Sequence, residues 1–268
     1  MVAFAANSLL CRAALRDTRI DAASFTAVRL ASGAALLSLL ARRRGGGGTG
    51  SWGSAFALFV YAAGFSLAYV SLTAATGSLL LFGAVQATMI GHGLRTGERL
   101  HGLQLPGLVL ALGGLGGVLL PGLSAPPLLG SLLMLGAGVA WGVYSLRGKG
   151  AGDPLRATAG NFLRAVPFAA ALSLALLGRA SFDAKGTLYA ALSGAVASGI
   201  GYAMWYTALP SLKATTAATV QLSVPVLASL LGIVLLGEPL TPRLVLLSAA
   251  VLGGIALVIR RRRPRSPL

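Results

Sequence analysis

Long apolar stretches, separated by short polar, glycine-rich or proline-containing breaks, run along almost the whole chain. An α-helix needs about 20 predominantly apolar residues to cross a bilayer, whereas barrel strands need strict alternation of apolar and polar positions. Unbroken runs such as Leu244 to Ile259 do not alternate. The pattern therefore predicts an all-α integral membrane protein with ten transmembrane helices, at positions 1–15, 22–41, 52–73, 75–94, 102–120, 127–147, 155–177, 187–208, 214–236 and 241–259.

Composition and charge support a membrane location. Hydrophobic residues make up 56% of the chain and charged residues 10%, against about 25% charged residues in soluble domains. The net charge of +16 comes from short basic clusters between apolar stretches, such as Arg42 to Arg44 and Arg260 to Arg263, so no nucleic-acid partner is expected. Because most basic residues lie in loops on the side of the N-terminus, we expect both termini in the cytoplasm and the protein in a prokaryotic inner membrane.

Two matching segments predict an internal repeat. Glu98 and Glu238 stand in the same Gly-Glu-x-Leu frame, 140 positions apart, and Arg29 matches Arg164 at a shift of 135. Each repeat contains an odd number of helices, five, so the second is expected to lie inverted in the membrane relative to the first. The expected repeats are residues 1–122 and residues 123–268, the second of which ends in a basic cytoplasmic tail.

The four charged residues of these matches are interpreted as structural. Each glutamate follows a glycine that can end a helix, and we expect each in the first turn of the next helix, where a negative charge interacts favourably with the helix dipole. Arg29 and Arg164 lie in spans 2 and 7, where we expect them to bind backbone carbonyls or neighbouring polar residues such as Thr26 and Asn161. Binding of a substrate carboxylate is the alternative for either arginine.

The segment Gly97-Glu98-Arg99-Leu100, its second copy at Gly237-Glu238-Pro239-Leu240, and the arginine pair resemble the EamA repeats of the drug/metabolite transporter superfamily. The resemblance covers nearly the whole chain. Within the superfamily the chain is most similar to the amino-acid exporters, in particular the YddG-like aromatic amino-acid exporters. The resemblance implies a ten-helix carrier of two inverted repeats, with a central cavity lined by spans 1, 3, 4, 6, 8 and 9.

Polar side chains in the middle of the spans are candidates for substrate binding, since they are costly in lipid and usually face a cavity or a partner helix. Asn7, Gln86 and Gln221 are the strongest of these, in spans 1, 4 and 9. Hydrogen bonding between helices is the alternative role for all three. Pro225 lies four residues after Gln221, so its ring frees the Gln221 carbonyl, and broken helices in mid-membrane are typical of carrier sites.

Aromatic residues at helical spacing predict walls for a flat apolar substrate group. Tyr61, Phe65 and Tyr69 form such a stripe in span 3. The other wall candidates are Trp141 and Tyr144 in span 6, Tyr202, Trp205 and Tyr206 in span 8, and the adaptable Met89 in span 4. An interfacial aromatic belt is the alternative for Tyr69 and Tyr144, and core packing is the alternative for Met89.

These features favour a secondary transporter that exports small amino acids, most of all aromatic or apolar ones, by alternating access. A multidrug or other metabolite exporter of the same fold is one alternative, and a passive channel is another. The acidic residues all lie at loops or span edges, and no Gly-x-x-x-x-Gly-Lys-Ser/Thr pattern occurs, so neither an enzyme nor an ATP-driven pump is expected. We expect a small-molecule substrate and the lipid bilayer as partners, with no cofactor and no metal site; the sequence does not predict an oligomeric state.

Overall fold

The protein is described by a computed structural model that covers residues 1–43, 46–97, 102–120, 125–148, 152–208, 221 and 223–259. The described residues are overwhelmingly helical. We label the helices α1 (Val2–Asp17), α2 (Ala22–Arg43), α3 (Trp52–Tyr69), α4 (Ala74–Arg95), α5 (Gln104–Leu119), α6 (Leu128–Gly148), α7 (Pro154–Ala175), α8 (Ala184–Leu192, continued by a π-helical segment Ser193–Ile200 and by Gly201–Ala208), α9 (Ser223–Leu236) and α10 (Pro242–Ile259). A short 3₁₀ helix, Leu177–Arg179, follows α7.

The helices coincide with the ten apolar stretches to within a few residues, apart from the ninth. There the stretch begins at 214, whereas the described helix begins at Ser223, and most of the intervening residues lie outside the described part of the chain. Helices α2, α3, α4 and α6 are long and apolar enough to cross a membrane, and α5, α9 and the Pro242–Val258 part of α10 are shorter apolar helices.

Helix directions follow from the contacts at the two ends of the bundle. At one end, which we call the Asp17 end, Arg12 Nη1 donates to Tyr69 O at 2.9 Å, so α1 and α3 finish side by side. Helix α6 begins at this same end, because a Cβ on Gly130 would contact the side chain of Leu72. At the opposite end Arg147 Nε donates to Ser54 Oγ at 3.1 Å. Helix α6 therefore runs antiparallel to both α1 and α3.

The helices pack in pairs that repeat after a shift of five. Helix α2 packs on α7, α4 on α9, and α5 on α10, and the pair α3–α6 has its counterpart in the pair α8–α1. The α5–α10 pair is closest where Gly107 and Gly254 meet, since a Cβ on Gly107 would come within 2.8 Å of the Gly254 carbonyl oxygen. Gly113, Gly116 and Gly253, which also belong to small-residue runs, face open space instead.

The π-helical segment of α8 lies against α2. A Cβ on Gly194 would overlap the Arg29 carbonyl oxygen, so the two backbones can approach this closely only at a glycine. The wider turn also presents two serines to the interior: Ser193 and Ser198 are both fully buried. Single π-turns inside α-helices occur frequently at functional sites, and this one lies at the centre of the polar network described below.

Both glycines that precede the matching glutamates adopt positive φ, +97° at Gly97 and +61° at Gly237. The expectation that they end α4 and α9 is therefore confirmed. The expectation that Glu238 stands in the first turn of the next helix is wrong, because α10 begins at Pro242 and is capped by Thr241 Oγ1, which accepts the Leu244 N–H at 3.2 Å. Glu98 lies outside the described residues.

Glu238 reaches across the bundle to the first half of the chain. Its Oε2 accepts the Ala74 N–H at 2.7 Å, at the first residue of α4, and its Oε1 accepts from Arg12 Nε at 3.1 Å. The carboxylate thus interacts with a helix dipole after all, but with that of α4 rather than α10. One side chain joins α1, α4 and the α9–α10 corner at the Asp17 end.

Asp21 is a second junction at this end, and it generates a prediction. Its Oδ1 caps α2 by accepting the Ala23 and Ser24 N–H groups at 2.9 and 3.0 Å, and its Oδ2 accepts the Ser181 N–H at 2.9 Å. Replacement of Asp21 by Ala should destabilise the folded protein by about 1 kcal/mol through loss of the cap, measured as a lower melting temperature in detergent.

The pH dependence gives a second readout for the same variant. Partial burial raises the pKa of the Asp21 carboxyl, but hydrogen bonds from Ser24, Ser181 and Ala23 outweigh it and hold the pKa below its usual value. A depressed pKa contributes stability that is present above the unfolded pKa, about 4, and is lost as the pH falls through the folded value. The difference between wild type and Asp21→Ala should therefore shrink below about pH 4; a difference that stays constant down to pH 2 would contradict the capping account.

Candidate functional site

A small chamber lies in the interior of the bundle where the two halves of the chain meet. Its walls come from α1, α3 and α4 of the first half and from α6 and α8 of the second. The lining residues are Phe4, Asn7, Ser8, Tyr61, Phe65, Leu81, Phe82, Trp141 and Tyr202. The free volume is ≈ 10 Å³, which is room for about one water molecule. The chamber is therefore closed, and any larger occupant requires the helices to separate.

Asn7 links the two halves of the chain at the chamber wall. Its Nδ2 donates to Tyr61 OH at 3.3 Å, and its Oδ1 accepts from Ser193 Oγ of the π-helical segment at 2.5 Å. Tyr202 OH lies 3.3 Å from Tyr61 OH. Asn7 thus lines the chamber and also bridges helices through hydrogen bonds. Its role in substrate binding stays a prediction.

Arg29 of α2 extends into this network. Its side chain is 1% exposed; Nη2 donates to Tyr61 OH at 3.0 Å and to Tyr202 OH at 3.4 Å, and Nε donates to Ser198 Oγ at 3.2 Å. The guanidinium also lies over the rings of Tyr61 and Phe65, at 5.1 and 4.9 Å from their centroids, which adds cation–π stabilisation. The resemblance implied a cavity lined by spans 1, 3, 4, 6, 8 and 9, without span 2, but the Arg29 head group of α2 lies directly behind the chamber wall.

The neighbours proposed for the two arginines from the sequence are not their partners. Thr26 Oγ1 donates to the Ala22 carbonyl of its own helix, and Asn161 binds Ser51 N–H and Tyr144 OH. Arg164 bonds the carbonyl of Gly160 one turn earlier and stays partly exposed. The matching arginines therefore differ: Arg29 belongs to the central network and Arg164 does not.

Aromatic rings form a continuous wall around the chamber. Trp141 lies at its centre, with its ring centroid 4.7 Å from that of Tyr202, 4.8 Å from that of Tyr61 and 6.2 Å from that of Phe4. Edge-to-face and tilted contacts of this kind are favourable. The rings come from α1, α3, α6 and α8, so a movement of one half relative to the other must change their mutual packing.

Five of the site and wall residues predicted from the sequence line the chamber: Asn7, Tyr61, Phe65, Trp141 and Tyr202. Three others form a second layer in ring contact with the wall: the ring centroid of Tyr69 lies 4.7 Å from that of Phe65, that of Tyr144 5.5 Å from that of Trp141, and that of Trp205 6.2 Å from that of Phe4. Tyr206 lies one layer further out, with its ring centroid 6.2 Å from that of Tyr144. The belt interpretation is wrong for Tyr69 and Tyr144, since both are buried inside the bundle.

The remaining predicted residues do not line the chamber: Gln86, Met89, Gln221 and Pro225. Gln86 and Gln221 are nevertheless buried, at 3% and 8% exposure, and Gln221 Oε1 has no hydrogen-bond partner among the described residues. Helix α9 therefore contributes no wall residue within the described part of the chain, although the resemblance implied that span 9 would.

Sequence reasoning missed two kinds of wall residue. Phe4, Leu81 and Phe82 are apolar residues in apolar spans, and no pattern distinguishes them from ordinary core positions. Ser8 immediately follows Asn7, and its position next to that polar residue is the one sequence signal that could have identified it. The serines of the π-helical segment are small polar residues in a Ser-Gly-rich run whose irregular helix is not apparent from periodicity.

Comparisons with known proteins agree with this architecture. The EamA-like transporter family matches residues 128–260. A protein of Pseudomonas aeruginosa described as uncharacterized is 62% identical over 269 residues, which cover 99% of this chain and 94% of that protein. The threonine/homoserine exporter RhtA of Escherichia coli K12 is 33% identical over 143 residues, which cover 50% of this chain and 47% of the exporter.

A solved crystal structure of a protein shares the fold. It superimposes with a TM-score of 0.67 at 22% identity and covers 96% of this chain and 95% of its own. The chain is a multi-pass membrane protein that belongs to the same family as the Pseudomonas protein and carries an EamA-like transporter domain of the drug/metabolite transporter superfamily.

Proposed function

We propose that this protein is a secondary transporter of the inner membrane that exports small amino acids, most of all aromatic or apolar ones, by alternating access. The observation that carries the proposal is the closed chamber between the two halves, in which one amide, several hydroxyl groups and an aromatic wall surround a space in mid-bundle. Carrier sites of inverted-repeat transporters lie near the bilayer midplane at the interface of the repeats. The threonine/homoserine exporters that resemble half of the chain support an amino acid as the substrate.

The two halves, residues 1–122 and 123–268, act as the moving parts. Their inversion is supported by the antiparallel course of α1 and α6 and by the packing pairs that repeat after a shift of five helices. An odd number of crossings in each half produces such an inversion. The N-terminus in the cytoplasm, as the basic loops favour, puts the Asp17 end on the outer side of the membrane.

Contacts between the halves then close the outer side. Arg12 pairs with Glu238, and Arg16 Nη1 donates to the Leu236 carbonyl at 2.7 Å, so the end of α1 is held to the α9–α10 corner. The export cycle requires these contacts to break when the chamber opens outward and to form again when it opens toward the cytoplasm. Because the described acidic residues lie at helix ends or loops, no carboxylate relay runs through the chamber, and we propose facilitated export or exchange.

The substrate assignment is tested by counterflow in proteoliposomes with a panel of labelled amino acids that includes phenylalanine and threonine. We expect saturable exchange of at least one of them. Trp141→Leu removes the central ring of the wall, worth about 0.5–1.5 kcal/mol beyond its area, so the half-saturation concentration should rise about 2- to 10-fold. Trp52→Leu is the matched control, because Trp52 is 59% exposed at the start of α3.

The alternatives give different results in the same assay. Flux that follows voltage without saturating would indicate a channel. Exchange of apolar amines with no exchange of any amino acid would favour a multidrug exporter, and equal effects of the two tryptophan variants would contradict the placement of the site.

The Arg12–Glu238 contact on the outer side is tested by measuring how accessible the chamber is to a thiol-labelling reagent. In a Cys11→Ser background, Ser8→Cys puts a thiol on the chamber wall, and its labelling by an impermeant maleimide from the outer side reports opening. Glu238→Gln should increase the labelling rate several-fold, because the variant loses the ion pair with Arg12. Asp17→Asn, which removes the exposed Arg16–Asp17 pair, should leave the rate unchanged. A lower yield of Glu238→Gln with unchanged labelling would show that Glu238 is only a structural corner.

A further inference from the structure

Arg29 carries a buried positive charge with no carboxylate partner among the described residues. The ion pairs of the described chain join Arg12 to Glu238 and Arg16 to Asp17, and neither includes Arg29. Its guanidinium is held by the hydroxyl groups of Tyr61, Tyr202 and Ser198, all neutral. A buried charge is costly unless it is paired or well hydrogen-bonded. In the closed state, the positive charge at the centre of the bundle therefore has no negative counter-charge among the described residues.

The hydrogen bonds around Arg29 leave a tyrosine hydroxyl proton free to be donated into the chamber. Tyr61 OH accepts from the guanidinium and from Asn7 Nδ2, and Tyr202 OH accepts from the guanidinium, so each hydroxyl keeps its own proton to donate. Their mutual contact at 3.3 Å uses one of the two protons. Since both residues line the chamber, the second proton is available to an acceptor inside it.

One further donor of the guanidinium is buried here and lacks a partner. Arg29 Nη1 has no hydrogen-bond partner among the described residues. Ser8 Oγ lines the chamber at 1% exposure, beside the Tyr69 hydroxyl group with which it interacts. Buried polar groups are normally satisfied, so the unpaired Arg29 Nη1 calls for a functional explanation.

From these observations we infer that Arg29, acting through Tyr61 and Tyr202, makes the chamber selective for substrates that carry a carboxylate. A carboxylate has only acceptors to offer, which matches the unused hydroxyl protons, and its charge compensates the buried guanidinium. An amine carries a positive charge, the same sign as the guanidinium. An amide is neutral and carries N–H donors beside its one acceptor, so it matches the hydroxyl donors less well than a carboxylate does. Arg29 is a positioning residue, because the tyrosine hydroxyl groups and Ser8 are the atoms that touch the substrate.

This inference rests on the proposed function, and ligand chemistry separates the two. Counterflow of labelled L-phenylalanine is competed by four unlabelled compounds that share one ring: L-phenylalanine, 3-phenylpropionate, L-phenylalaninamide and phenethylamine. The same four are titrated against the purified full chain in detergent, with tryptophan fluorescence as the readout of binding. Absence of exchange for any amino acid would defeat the proposed transport activity, whereas the binding series tests the carboxylate preference alone.

For the wild type we expect the two carboxylates to bind about 10- to 100-fold more tightly than the amide and the amine, as expected for hydrogen bonds to a charged group. Arg29→Gln should abolish this preference, and Arg29→Lys should restore part of it by returning the charge. Arg164→Gln is the matched control, since Arg164 bonds only a carbonyl of its own helix among the described residues, and it should keep the full preference.

A purely structural role for Arg29 would lower stability without changing the ratio of affinities. If Arg29→Gln does not fold, the double variant Tyr61→Phe/Tyr202→Phe removes only the two hydroxyl groups and should reduce the preference on its own. Equal binding of carboxylate and amide by the wild type, binding of none of the four compounds, or an unchanged preference in Arg29→Gln or in the double tyrosine variant would overturn the inference.

Discussion

A positive charge buried in mid-bundle is the constraint around which the interior is built. Burial of a guanidinium in a protein surrounded by hydrocarbon is tolerated only with hydrogen bonds on several sides. Helices α3 and α8 supply these bonds to Arg29 through Tyr61, Tyr202 and Ser198. The π-helical segment of α8 makes the arrangement possible, because its wider turn turns Ser198 inward and its Gly194 admits the backbone of α2.

The same network joins the two halves that move in the proposed transport cycle. Asn7 and Tyr61 belong to the first half, and Ser193 and Tyr202 belong to the second, so the Asn7–Ser193 and Tyr61–Tyr202 hydrogen bonds cross the interface between the halves. Hydrogen bonds can be exchanged for bonds to a substrate at little net cost, whereas a fully apolar interface offers no such replacement. The charged contact of Arg12 with Glu238 is placed differently, at the end of the bundle, where it can hold the chamber closed without touching the substrate.

The number and order of the helices were predicted from the length and spacing of the apolar stretches. Gly97 and Gly237 correctly indicated the ends of two helices. Polarity in mid-span found Asn7, and aromatic spacing found Trp141 and Tyr202. Local patterns could not show that Arg29 points inward while Arg164 does not, since that depends on which neighbour each helix meets. Nor could they show that Glu238 caps α4, 164 positions away in the chain. Contacts between distant helices are set by packing, which a single sequence does not encode as a local signal.

The most direct test of the account is an experimental structure with a carboxylate-bearing amino acid bound. The account predicts an expanded chamber with the substrate carboxylate within hydrogen-bond distance of Ser8 Oγ and of at least one of the hydroxyl groups of Tyr61 and Tyr202, while Arg29 remains bonded behind them. A substrate bound elsewhere, or one whose carboxylate points away from these hydroxyl groups, would contradict the central claim.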